Sequence, residues 1–268
     1  MRRYAMFYRV VPRLVILESM GLYETLSERY DEIFPVNPAT VDYVRARMPA
    51  GARRRILDLG SATGGHALAF AAQGVEVLGI ELSAAMTLRA EAAANRLNIG
   101  PRPRFFPGDM RHAARFAAEA FGPEPRFGAA LCLGNTLPHL AGDTLTEFFA
   151  AIRALLSPGC PFVLQTLNYA HPEAGPGFRF PDIELPGLRF SRRYTGAERG
   201  DLRFETRIET AQGNFEDAIL LHPHLPENMA KALLQAGFER IEACSGWDGS
   251  AFSQKRDRYL IMTGFAPA

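Results

Sequence analysis

The chain of 268 residues is 47% hydrophobic and 22% charged, which excludes a disordered polymer, and its 24 glycines and 19 prolines follow no period, which excludes a collagen-like repeat. Thirty basic side chains against 29 acidic ones leave a formal charge of +1, so no global field favours nucleic acid or an anionic membrane as partner. Cys132, Cys160 and Cys244 lie far apart with no Cys-x-x-Cys, so no disulfide framework or zinc site is expected and a reducing cytoplasm suits the chain. Arg9, Pro12 and Arg13 break the apolar start and argue against an export signal, and no uncharged apolar run approaches the ~20 residues that span a bilayer.

Residues 1–19 show no clean period and read either as an extra helix or as the product of a misplaced start codon, the next segment reading naturally from Met20. Leu22, Leu26, Tyr30 and Ile33 share one helical face; after Asn37 and Pro38, suited to an N-cap and a first turn, Val41, Val44 and Met48 mark a second helix. From there strands and helices alternate: strand 55–59, helix 65–73, strand 75–80, helix 84–96, strand 103–107, helix about 110–120, strand 127–133, helix 142–157, strand 161–167. Such alternation predicts a doubly wound α/β fold, a parallel sheet covered on both faces. The rhythm then breaks at Pro172, Pro176, Pro181 and Pro186, and Leu188–Tyr194 and Leu202–Glu209 read as strands of an inserted antiparallel flap. A helix over 226–236 and strands at 238–244 and 258–265 close the chain. The organisation expected is therefore a leader and cap helices over 1–50 and one domain over 51–268, with the flap at 169–224.

The strongest chemical signal is Asp58-Leu59-Gly60-Ser61-Ala62-Thr63-Gly64, a buried strand running into a glycine-rich turn that opens a helix. Glycines there admit a ligand close to the backbone, and the helix start offers unpaired N–H groups. A dinucleotide turn would carry Gly-x-Gly-x-x-Gly, whereas Ala62 stands in the middle and Asp58 would repel a pyrophosphate and attract a cation or an amino group. Glu81 ends the next strand, where a carboxylate accepts from both hydroxyls of a ribose. Gly108-Asp109-Met110 follows the third strand, placing an acid and a thioether where an adenine is held. Each acid alone also suits a helix cap or an exposed strand end; the three together describe a site for a nucleoside joined to an amino acid.

With these residues, and with Leu133-Gly134-Asn135-Thr136-Leu137-Pro138-His139-Leu140 after the fourth strand, the chain resembles the class I S-adenosylmethionine-dependent methyltransferases, in particular the small-molecule branch of glycine and sarcosine N-methyltransferases. The resemblance implies a seven-stranded sheet with an antiparallel last strand, and S-adenosylmethionine as cofactor with S-adenosylhomocysteine as product. It places Tyr30, Asp58, Gly60, Ser61, Ala62, Gly64, Glu81, Leu82, Met86, Asp109, Met110 and Leu133 at the cofactor and Asn135 and His139 at the methyl-transfer site, with no metal. The flap then covers a small-molecule acceptor, an amine in the first instance, with Arg192, Arg193, Tyr194 and Trp247 as substrate contacts. An arginine fork matches a carboxylate on that acceptor. The rival acceptor is a quinone, polyketide or other aromatic methylated on carbon or oxygen; outside enzymes, the alternative is a non-catalytic protein that binds the same cofactor.

Overall fold

The computed structural model describes residues 26–99, 103–196 and 198–268; the leader at 1–19 and Leu22 lie outside the described residues. Helix α1 (26–33) and α2 (Pro38–Arg47) precede the first strand, and α2 starts as its sequence predicts, with Pro38 in the first turn and Asn37 Oδ1 accepting from the Ala39 amide at 3.0 Å. The alternation that follows is β1 (Arg55–Leu59), α3 (Gly65–Ala71), β2 (Glu76–Glu81), α4 (Ala84–Leu97), β3 (Arg104–Pro107), α5 (Ala113–Phe121), β4 (Ala129–Cys132), α6 (Leu145–Leu155) and β5 (Pro161–Leu167). Helices α5 and α6 begin later than expected because single 3-10 turns, Met110–His112 and Gly142–Thr144, precede them.

After β5 come the flap strands β6 (Ile183–Leu185), β7 (Leu188–Gly196), β8 (Leu202–Thr210) and β9 (Gly213–Leu221), then α7 (Pro226–Gln235), β10 (Arg240–Cys244) and β11 (Tyr259–Phe265). The main sheet has seven strands in the order β10-β11-β5-β4-β1-β2-β3, with β11 antiparallel to both its neighbours and the other pairings parallel. The chain lays β2 and β3 on one side of β1 and β4 on the other, so the winding reverses at β1. The carboxyl ends of the strands beside such a reversal leave a crevice.

Burial on both faces explains why these strands read as continuous apolar runs. Leu57, Leu59, Leu78, Ile80 and Phe162 pack under α5, α6 and α7 through Phe116, Phe149 and Leu233. Their strand neighbours Ile56, Val77, Leu131 and Val163 pack on the other face, under α2, α3 and α4, with Val44, Phe70 and Ala90. Two strands of the flap escape the sequence reading. Strand β6 has three residues, and β9 opens with Gly213 and Asn214 and carries Glu216 and Asp217, all poor strand formers that the nine-residue pairing with β8 overrides. The flap seats the apolar face of β7 and β8, Leu188, Phe190 and Ile208, against α1 at Leu26 and Ile33 and against Met86.

Candidate active site

The turn after β1 is tight: Gly60, Ala62 and Gly64 all take left-handed backbone, with φ of 74°, 48° and 81°. Glycine does so freely, whereas Ala62 brings a Cβ there at a cost of roughly 1 kcal/mol. The Gly60 and Ser61 amides donate to the Ile80 carbonyl at 2.8 and 3.1 Å, so the turn folds back onto β2. A methyl on Gly60 would lie 2.5 Å from Thr136 Cγ2, which shows how closely the loop after β4 presses on the same turn.

Glu81 clamps this turn. Its Oε2 accepts from the Ala62 amide at 3.0 Å and its Oε1 from the Ser83 amide at 2.9 Å; burial pushes its carboxyl up, against the downward pull of these hydrogen bonds. Asp58 lies deeper, 3% exposed, and burial, helped by the charge of Glu81, raises its pKa to about 7. Among the described residues none donates a hydrogen bond to Asp58, so its carboxyl has the character of an acceptor awaiting a cationic or ammonium partner.

At the third strand end, Asp109 accepts from the Arg111 amide at 2.8 Å and from Arg111 Nε at 2.9 Å, and this holds its carboxyl below the usual range. Asp109 therefore caps the 3-10 turn, while Met110, Met86 and Leu133 are buried. Leu82, next to Glu81, is 76% exposed and leaves an apolar surface open at the strand ends. Helix α1 lies across the turn: Thr63 Oγ1 donates to Asp31 Oδ1 at 2.5 Å, and Tyr30, its ring 5.0 Å from that of Phe34, packs in one apolar cluster with Ala62 and Met86.

The fourth-strand loop holds Asn135 in left-handed backbone, φ 63°, with its amide fully engaged. Asn135 Oδ1 accepts from Thr166 Oγ1 at 2.7 Å, the Leu167 amide at 3.0 Å and the Tyr169 hydroxyl at 3.1 Å, and Nδ2 donates to the hydroxyls of Tyr169 and Tyr194 at 2.9 and 3.3 Å. His139 follows as the exposed residue of a 3-10 turn whose Leu137 and Pro138 are buried, its pKa lowered by desolvation and by the neighbouring His222. His222 in turn sets Nδ1 2.9 Å from Asp201 Oδ1 and donates its amide to the Pro138 carbonyl at 2.8 Å.

Strand alternation separates the flap arginines. Arg193 points outward into an ion pair with Glu205, and Arg189 pairs with Asp182, both on exposed surface. Arg192 points inward: its guanidinium carbon lies 4.9, 5.2 and 5.5 Å from the ring centres of Phe180, Phe190 and Phe34, and its Nε is buried without a partner. Tyr194, 1% exposed among Phe178, Phe180 and Phe204, is an anchor of the flap rather than an open surface, which corrects its expected place as a substrate contact. Trp247 also falls elsewhere: half-buried, it packs edge-on to Tyr43 of α2, rings 5.3 Å apart, against the core cluster under α2. Asp31, Thr63, Tyr169, Phe34 and Phe180 join the site without a sequence signal of their own, apart from the position of Asp31 beside Tyr30.

Residues 56–159 match the methyltransferase domain family. Over 134 residues the chain is 32% identical to the ubiquinone biosynthesis O-methyltransferase of Alkalilimnicola ehrlichii, an alignment that spans 50% of this chain and 49% of that relative, about half the length of each. Over residues 56–159 the chain is similar to that methyltransferase domain family, and its seven-stranded sheet is the fold of S-adenosylmethionine-dependent methyltransferases. Solved methyltransferases share its fold: the CcbJ methyltransferase from Streptomyces caelestis superimposes with a TM-score of 0.71 at 24% identity, covering 85% of this chain and 94% of that one. CalS10, an amino pentose methyltransferase from Micromonospora echinaspora, gives 0.61 at 23% identity over 99% and 100%.

In a methyltransferase domain the crevice beside β1 is the cofactor's place, and the residues here suit it. Glu81 accepts from backbone amides on one side and keeps lone-pair capacity for hydroxyls, Asp58 is free for an ammonium, and Leu82 offers an apolar surface to a flat ring. Among the described residues no group of three or more His, Cys, Asp or Glu side chains is placed to hold a metal ion, and no helix is long and apolar enough to cross a membrane.

Proposed function

We propose that the protein transfers a methyl group from S-adenosylmethionine to the nitrogen of a small amine that carries an anionic group. The observation that carries the acceptor reading is Arg192, an inward-facing arginine with a buried, unpartnered Nε between three aromatic rings. A guanidinium so placed matches a carboxylate or another flat anion. The cofactor would be held by Asp58 at its amino group, by Glu81 at its ribose and by Leu82 at its base. Bound there, it supplies an electrophilic methyl whose transfer needs alignment more than a strong base.

The side chains supply that alignment. Arg192 fixes the acceptor from the flap side, Asn135 braces the loop between flap and sheet, and His139 takes the proton that the amine sheds. A second reading, oxygen methylation of an aromatic acceptor, is favoured by the phenylalanines that surround Arg192 and by the ubiquinone O-methyltransferase relative. Calorimetry with S-adenosylhomocysteine and with NAD tests the cofactor: binding of NAD without a response to S-adenosylhomocysteine overturns the whole reading. Transfer from labelled S-adenosylmethionine to a panel of amino acids, amino sugars and phenols then separates the two acceptors.

A further inference from the structure

Beyond the residues that would touch the cofactor, we infer that Asp31 is a positioning residue, which acts through Thr63 to hold α1 as a lid on the glycine turn; the inference rests on the cofactor assignment proposed above. Thr63 stands between two left-handed residues, Ala62 and Gly64, and is only 4% exposed, so its hydroxyl is confined. That hydroxyl donates to Asp31 Oδ1 at 2.5 Å, a short and direct bond between the helix and the turn. Further along the same link, Val36 Cγ2 would lie 2.6 Å from a Cβ on Gly65, so the chain between α1 and α2 rests directly on the start of α3.

Arginine ties of α1 lead to α4 and to the flap. Arg89 of α4 donates to Ser27 Oγ at 2.9 Å and pairs with Glu28 at 3.2 Å, and Arg29 reaches the Pro186 carbonyl of the flap at 3.4 Å. Asp31 ties the helix to the turn itself, and its fixed position sets Tyr30 in the cluster of Ala62 and Met86. Without the bond, α1 is held to the turn by apolar packing alone, and the ordering the cofactor must then complete is subtracted from its affinity. Asp31 itself lies on exposed surface, so its loss leaves both faces of the main core intact.

The test is calorimetric titration of S-adenosylhomocysteine into wild type, Asp31→Ala, Thr63→Val, the double variant and Thr63→Ser, alongside melting of each without ligand. The expected result is a dissociation constant raised about tenfold in each of Asp31→Ala and Thr63→Val and no further in the double variant, as coupled partners require, with Thr63→Ser close to wild type and every variant melting cooperatively without ligand. Single variants that bind as tightly as wild type, or a double variant whose loss is the product of the two, overturn the inference while leaving the cofactor assignment standing. A wild type that does not bind S-adenosylhomocysteine overturns both.

Discussion

Asp58 and Ala62 show what single side chains contribute at the turn. The Asp58 carboxyl rises from an ordinary value of about 4 to about 7 in the folded protein, so the native state holds a proton that the unfolded chain has released. The stability linked to this group is fully present below pH 4 and is lost as pH rises through 7, and a bound ammonium reverses the preference by favouring the ionised form. Melting temperature without ligand should therefore fall between pH 5 and 8 with a slope that Asp58→Asn removes, while affinity for S-adenosylhomocysteine strengthens over the same range; calorimetry and thermal scans at stepped pH check both. Glu81→Ala strips two backbone amides and two hydroxyls of their acceptor and should cost roughly 1.5–3 kcal/mol in S-adenosylhomocysteine affinity, measured by titration. Ala62→Gly relieves a left-handed alanine and should raise the melting temperature by about 2–4 °C, the shift that roughly 1 kcal/mol gives a chain of this size.

At the scale of elements, strand β7 decides which arginine meets the acceptor. Leu188, Phe190, Arg192 and Tyr194 share the inner face by the two-residue repeat of a strand, and Arg193 shares the outer face with Glu205. Arg192→Ala should raise the Michaelis constant for an acid-bearing amine with cofactor affinity unchanged, and Arg193→Ala should leave both at wild type; steady-state kinetics separate the two. Unchanged kinetics in Arg192→Ala would transfer the acceptor to the aromatic reading. The sequence could name both arginines but not choose between them, because a register slip of one residue exchanges the faces, and that register is set by pairing with Thr206 and Glu205 on β8.

Across the molecule, one apolar cluster joins α1 and the flap to Ala62 and Met86 at the cofactor side. Cofactor and acceptor sides are thus packed against the same surface. Adding S-adenosylhomocysteine should slow hydrogen exchange in residues 26–33 and in β7 and β8 together, and Phe190→Ala should abolish the shared protection while the β1 and β4 amides stay protected. The two-faced main core already buries those central strands without help from the flap.

Local order along the chain determined the alternating core, the glycine turn and the acids at the strand ends, because parallel strands buried on both faces carry apolar runs that need no partner to be recognised, and left-handed turns demand small residues. Asp109 shows the limit of that reading: the same acid at the same place serves as cap for the next turn, and only the position of Arg111 reveals it. Tertiary structure alone decided that Arg192 faces inward, that Tyr194 is an anchor for Asn135, that Trp247 packs on Tyr43 and that Asp31 meets Thr63. These partners are separated by tens to hundreds of positions, and no local propensity encodes a contact that exists only once flap, lid and sheet have closed on one another.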